Sequence, residues 1–170
     1  MDEYGHCSIE ELARLSKMGD TRAFAKLYEM FYQDLYRFAL CTMKHPQDAE
    51  DAVSEAVINA YSSIHKLKKA ESFKSWIFQI LVNVCRKKWS SREYGEAPIL
   101  EEASEDKDYA LAQDVRNAFA VLTEEERMIV SLSVFGGYKS PEIGEILRLN
   151  ANTVRSKQSR ALEKMSLILK

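Results

Sequence analysis

At 170 residues, with 46% hydrophobic and 29% charged residues and a formal net charge of −2, the chain is sized for one large or two small globular domains. No stretch is apolar enough to span a bilayer and the polar opening MDEYGHCSIEE does not match a signal peptide, so a cytoplasmic protein without membrane contact of its own is expected. Cys7, Cys41 and Cys85 stand far apart with no CxxC pair, and with His6, His45 and His65 they fit no zinc spacing, so reduced thiols, no metal and no cofactor are expected.

The first residues predict a short helix, SIEELARLSKMG, closed by Gly19. Asp20 then caps a long helix in which Phe24, Leu27, Tyr28, Phe31, Leu35, Phe38 and Ala39 recur at helical spacing, and which ends near His45-Pro46 because proline disfavours helix in the residue before it. No glycine-rich loop or ligand cluster accompanies these aromatics, so they read as core. From Gln47 a second long helix carries Ala49, Ala52, Val53, Ala56, Val57, Ala60, Tyr61 and Ile64, a face of mostly small side chains that lets a neighbouring helix come close. Asp48, Asp51 and Glu55 lie on its opposite face. Asp48 sits where acidic residues stabilise the helix dipole, whereas Glu55 is left for a partner or for solvent.

A basic connection, HKLKKAES, leads to Ser72, which is placed to cap a third helix with the apolar face Phe73, Trp76, Ile77, Ile80 and Val84. That helix ends in Arg86, Lys87, Lys88 and Trp89. Aromatics beside clustered cations suit single-stranded nucleic acid, since bases stack and phosphates are neutralised nearby, although Phe73 and Trp76 fit the core stripe and are expected to be buried.

Residues 92–111 lose the helical period and hold Gly, Pro and acidic residues, which marks a flexible acidic linker. Divided by segment, the cationic and acidic residues number 13 and 12 in 1–91, 2 and 7 in 92–111, and 9 and 7 in 112–170. The acidity is thus concentrated in the middle, and neither flank is basic enough for strong non-specific affinity for DNA. Helical spacing resumes at about Ala112 with Val115, Ala118, Phe119 and Leu122. Thr123 to Glu126 form a capping box before Met128, Ile129, Leu132 and Phe135, and Gly136-Gly137 close that helix. With no convincing strand pattern anywhere, an all-α chain of two small helical domains joined by the acidic linker is expected.

The last stretch, GGYKSPEIGEILRLNANTVRSKQSRALEKM, reads as a helix-turn-helix. Ser140 is placed to cap a helix beginning at Pro141, whose apolar face is Ile143, Ile146 and Leu147, and Gly144 leaves room for a close helix crossing. Arg148, Leu149 and Asn150 break the pattern. Asn150 then caps a helix with a narrow apolar stripe of Val154, Ala161 and Met165, turning Asn152, Thr153, Arg155, Ser156, Ser159 and Arg160 outward. Arg can donate two hydrogen bonds to guanine and Asn can pair with adenine, while small hydroxyls reach bases or phosphates. Lys157, Arg160 and Lys164 supply phosphate-neutralising charge to the same helix. An ordinary helical hairpin with a solvated basic face is the competing reading of this stretch.

With these pieces in order, the chain resembles the extracytoplasmic-function group of bacterial sigma factors, the subunits that direct RNA polymerase to promoters. The resemblance rests on DTRAFAKLYEMFYQDLYRFAL, DAEDAVSEAV, SFKSWIFQILVNVCRKK, LTEEERMIVSLSVFGGYKSPEIGEIL and NTVRSKQSRALEKM. It implies that residues 1–91 bind polymerase and open DNA at the −10 element and that 112–170 read the −35 element. Asp51 and Glu55 then match the acidic positions that dock on the polymerase clamp. Ser72, Asn83, Arg86, Lys87 and Lys88 fall where the family handles the melted −10 strand, and Arg155, Ser156, Ser159 and Arg160 on its recognition helix. An anti-sigma factor is a further partner that the family commonly has. Ser54 stands where a Gln is usual before the clamp-docking Glu, which makes that part of the contact differ from the family's; Arg148 stands where a turn Gly is usual and Gln158 where an apolar residue is usual, which implies a looser or differently turned second domain.

Three functions follow as alternatives. A promoter-specificity subunit acts by binding and strand opening, not catalysis, and no nucleophile–base pair, phosphate loop or metal cluster argues for an enzyme. A free-standing helix-turn-helix regulator would use residues 1–90 for dimerisation or sensing, but has no need of the aromatic and basic helix Phe73–Trp89. A helical interaction protein would leave the Arg155–Lys164 face as solvated surface.

Overall fold

The computed structural model describes residues 3–91 and 107–169, and all regular structure among them is helical. Most of the helices begin where a side chain or a proline relieves the unpaired N–H groups of the first turn. In α1 (Ile9–Lys17), Ser8 and Glu11 form a capping box, the Ser8 N–H donating to Glu11 Oε2 at 2.8 Å and the Glu11 N–H to Ser8 Oγ at 3.1 Å. Asp20 caps α2 (Thr21–Met43) by accepting from the N–H groups of Arg22 and Ala23, and the Tyr4 hydroxyl donates to its other oxygen at 2.7 Å. That hydroxyl contact and the backbone donors hold the Asp20 carboxyl below the usual range. Lys44, left-handed at φ 67°, ends α2, and His45 is extended as the residue before Pro46 requires.

The first four helices form one unit. Ala49, Ala52, Val53, Ala56 and Ala60 of α3 (Pro46–Ser63) are buried, and α3 packs against both α2 and α4 (Phe73–Ser90), which also touch each other, with α1 against α2. Their core is aromatic: Phe38, Phe73 and Phe78 are fully buried, and Phe38 meets Phe78 edge-on with ring centroids 5.8 Å apart. Such a contact adds about 0.5–1.5 kcal/mol beyond the area it buries. Cys41 and Cys85 are buried free thiols, each raised by burial to about 12, as inert small hydrophobes should be.

The second unit comprises α5 (Lys107–Ala120), α6 (Glu124–Val134), α7 (Ser140–Leu147) and α8 (Ala151–Ile168), with α8 packed on the other three. The two units meet. Helix α6 lies against α2, and Met128, Ile129 and Leu132 share one core with residues of α2 and α4. Cys41 joins Phe119, Leu122 and Val130 in a second cluster. Tyr138 packs edge-on against Phe78 at 5.8 Å, with Lys74 Nζ 5.5 Å from its ring, and the Arg127 guanidinium lies 5.9 Å from the Trp89 ring. Gly136 permits the first contact: a Cβ there would sit 2.5 Å from the Tyr138 ring and 2.6 Å from the Leu132 carbonyl oxygen.

Several local expectations change. Tyr61, placed on the buried face of α3, is 49% exposed, with its ring edge-on to Phe24 of α2 at 5.2 Å. Ser72 makes no side-chain cap; it ends a 3₁₀ turn, Ala70–Ser72, and its carbonyl accepts from Ser75 Oγ at 3.2 Å. Phe73 is buried as expected while Trp76 is only half-buried. Helix α7 starts at Ser140, one residue before Pro141, and Lys139 takes the cap position, its N–H donating to Glu142 Oε1 at 3.0 Å. Helix α5 begins within the stretch read as linker, and the rest of that stretch, residues 92–106, lies outside the described residues.

Candidate nucleic-acid interface

The turn between α7 and α8 is built from its backbone. Arg148 adopts the left-handed conformation at φ 58°, the Leu149 N–H donates to the Gly144 carbonyl at 2.8 Å, and Asn150 caps α8 by accepting from the Asn152 N–H at 2.8 Å. Gly144 makes room for this turn and not for a crossing helix: a Cβ there would lie 2.6 Å from the Leu149 carbonyl oxygen. Arg148 therefore takes a turn position that favours glycine, accepting the cost of a left-handed non-glycine residue, and the turn keeps a compact helix-turn-helix form.

Val154, Ala161 and Met165 are buried beneath α8, so rotation of the helix is fixed. Asn152, Arg155, Ser156, Ser159 and Arg160 are exposed and Thr153 is half-buried beside them. Arg155 donates to Asn152 Oδ1 at 2.7 Å, holding both side chains together at the start of the helix. The neighbouring lysines behave differently from Arg160. Lys157 pairs with Glu125 at 2.7 Å and Lys164 with Glu126 at 2.8 Å, so both tie α8 to α6 before any phosphate is present. Burial alone would raise the Glu126 carboxyl, but Lys164 and the Thr123 cap hold it below the usual range. Gln158, at a position expected to be apolar, donates to Ser133 Oγ at 3.1 Å. A hydrogen bond between helices thus replaces an apolar contact there.

In the first unit, Asp51 is exposed on α3 and Glu55 half-buried one turn further on. Asn83 and Lys87 are exposed on α4, with Arg86, Lys88 and Ser72 half-buried. These residues do not form one flat patch. Glu55, Asn59, Trp76, Asn83 and Lys87 line an open groove of about 440 Å³ between α3 and α4. A second groove of about 410 Å³ is lined by Lys66, Lys68, Lys69, Ser72, Trp76 and Gln79. Trp76 and Lys66 border both. Asn59, Lys66 and Gln79 were absent from the sequence-derived set; Asn59 lies one turn beyond Glu55 and was findable on that spacing, whereas Lys66 and Gln79 depend on the fold of the 3₁₀ connection. Glu55 Oε2 lies 3.3 Å from Lys88 Nζ, so a residue expected to meet polymerase and one expected to meet DNA touch each other across α3 and α4.

Among the described residues no cluster of His, Cys, Asp or Glu is arranged to hold a metal ion, and no helix is long and apolar enough to cross a membrane.

Comparison with known proteins gives this geometry its context. Residues 27–93 match the family model for Sigma-70 region 2 and residues 112–165 that for Sigma-70 region 4. RNA polymerase sigma factor SigV of Bacillus subtilis is 33% identical over 141 residues, covering 81% of this chain and 85% of that protein. ECF RNA polymerase sigma factor SigM of Mycobacterium tuberculosis is 26% identical over 166 residues, covering 95% and 85%. The structure of the sigma factor RpoE from Bartonella quintana, solved with the anti-sigma factor NepR, superposes with a TM-score of 0.69 at 20% identity, over 86% of this chain and 96% of that one. The chain belongs to the extracytoplasmic-function group of the bacterial sigma-70 family, and as a sigma factor it directs RNA polymerase core enzyme to promoters to begin transcription.

Proposed function

We propose that residues 1–91 dock on the polymerase clamp through Asp51 and Glu55 and handle the melted −10 strand through Ser72, Asn83, Arg86, Lys87 and Lys88, while residues 112–170 read the −35 element. The observation that carries this is the outward face of α8, where Asn152, Arg155, Ser156, Ser159 and Arg160 are exposed on a helix whose rotation its buried stripe fixes. With Lys157 and Lys164 occupied by α6, Arg155 and Arg160 carry base and phosphate contacts in this reading. The protein acts by binding and strand opening and performs no catalysis. An anti-sigma factor is a further partner, in line with the NepR complex of the Bartonella quintana protein.

Two elements two DNA turns apart are separated by roughly 70 Å. A compact body of this length is only roughly 40 Å across, and residues 92–111 reach about 66 Å fully extended at 3.3 Å each but average about 25 Å as a free coil. Simultaneous reading of both elements therefore requires the packing of α6 on α2 and α4 to open and the linker to be held extended. An acidic linker is repelled by DNA phosphates and suits a basic channel of the polymerase. The free protein should then bind duplex promoter DNA poorly, and core polymerase should make recognition strong. Transcription of a genomic library by core polymerase, with and without this protein, identifies the promoters. Tight sequence-specific binding of both elements by the isolated protein at physiological salt would instead favour a free-standing regulator.

A further inference from the structure

We propose that the Glu55–Lys88 ion pair couples polymerase docking to capture of the melted strand: in the free protein each residue occupies the other, and engagement of Glu55 by polymerase releases Lys88 for a DNA phosphate. The inference rests on the roles proposed above for the two faces. It starts from a geometric fact that those roles do not contain. Lys88 Nζ lies 3.3 Å from Glu55 Oε2, with the two side chains 29% and 36% exposed, so the pair bridges α3 and α4 at the edge of the groove that Asn59, Trp76, Asn83 and Lys87 line. Lys87, the next residue along α4, faces solvent. A strand lying in the groove meets Lys87 as a free cation, while Lys88, one residue further on, is neutralised by Glu55.

A carboxylate cannot hold one lysine tightly and also present its full charge to a cationic partner, and an ammonium held by a carboxylate attracts a phosphate less. Both competitions act on one bond. A cation on the polymerase that takes Glu55 therefore raises the affinity of Lys88 for phosphate, and by linkage the bound strand raises the affinity of Glu55 for polymerase by the same factor. Partly exposed pairs have modest strength, so the factor is about two- to fivefold. That suffices to bias strand capture toward the assembled enzyme without locking the free protein.

The test uses the full chain and a short fluorescein-labelled oligodeoxythymidine, read by anisotropy at low salt, with the thermal midpoint of each variant recorded. Glu55→Gln, which keeps the shape and removes the charge, should raise oligonucleotide affinity of the free protein about two- to fivefold while weakening core polymerase binding. In a Lys88→Ala background the same change should give no gain, and Lys88→Arg should retain the wild-type response. The coupling is overturned if Glu55→Gln leaves oligonucleotide binding unchanged, or if its gain persists without Lys88, because removal of a distant negative charge would then account for it. Arg86→Ala and Lys87→Ala test the strand-handling role separately. If neither weakens binding but the Glu55–Lys88 cycle behaves as stated, the wider assignment fails and the coupling stands; if both weaken binding and the cycle is flat, the coupling alone fails.

Discussion

The two units solve the same packing problem with different materials. The first is closed by rings: Phe24, Phe31, Phe38, Phe73 and Phe78 are buried in contact with one another or with other aromatics, and its long helices need few polar ties. The second has shorter helices and a thinner aliphatic stripe, and is laced by Lys157–Glu125, Lys164–Glu126 and Gln158–Ser133 between α8 and α6. The difference bears on function, because side chains spent on holding α8 in place are not available to DNA. Of the four cations Arg155, Lys157, Arg160 and Lys164, the two lysines are ion-paired to α6, and the two arginines on the outward face are not.

Breaking the ring packing should have the largest effect. Phe38→Ala removes a fully buried ring and its edge contact with Phe78, and should destabilise the protein by about 3–5 kcal/mol in denaturant titration. A loss below about 1 kcal/mol would mean that the first unit is not held by its aromatic core.

An intermediate effect should separate the arginines from the lysines. Arg155→Ala or Arg160→Ala should weaken use of the cognate promoter by about 1–3 kcal/mol and relax preference at single base positions, measured by transcription from a set of promoter variants. Lys164→Ala should lower activity evenly across the set, through looser seating of α8. Equal losses on every variant for all three changes would remove base reading by this face.

The smallest effect should appear with acid and sharpen the contrast between the units. The Glu126 carboxyl is held below its ordinary value of 4.5, so its stabilising contribution is complete above that value and is lost as pH falls through the depressed folded value. Lys164 is about half exposed, so the loss should stay below about 1 kcal/mol. Comparing wild type with Glu126→Gln between pH 7 and pH 3 should show the mutant less sensitive to acid in this window; identical pH profiles would assign no stabilising role to the Lys164 pair.

Much of this was legible before any coordinates. The alanine stripe of α3, the Asp20 and Asn150 caps, the Thr123 capping box and the Val154–Ala161–Met165 stripe are local properties, read from spacing along one helix. Arg148 and Gln158 show the limit. Both break the family pattern, and a looser second domain was the natural expectation, yet Arg148 takes the left-handed turn itself and Gln158 finds Ser133 across the helix pair. The partner of Gln158 lies far from it along the chain, and the backbone torsion of Arg148 is one that no side-chain identity specifies.

What the sequence alone determined is the set of helices, their buried faces and the outward position of Asn152, Arg155, Ser156, Ser159 and Arg160, because helical periodicity and capping act over at most a few turns. Only the tertiary structure decided which charges remain for partners, and how Tyr138 and Arg127 carry the second unit onto Phe78 and Trp89 of the first. Those outcomes depend on distances between helices far apart in the chain. A lysine that finds a glutamate there is no longer the free cation that composition counts, as Lys88, Lys157 and Lys164 each show.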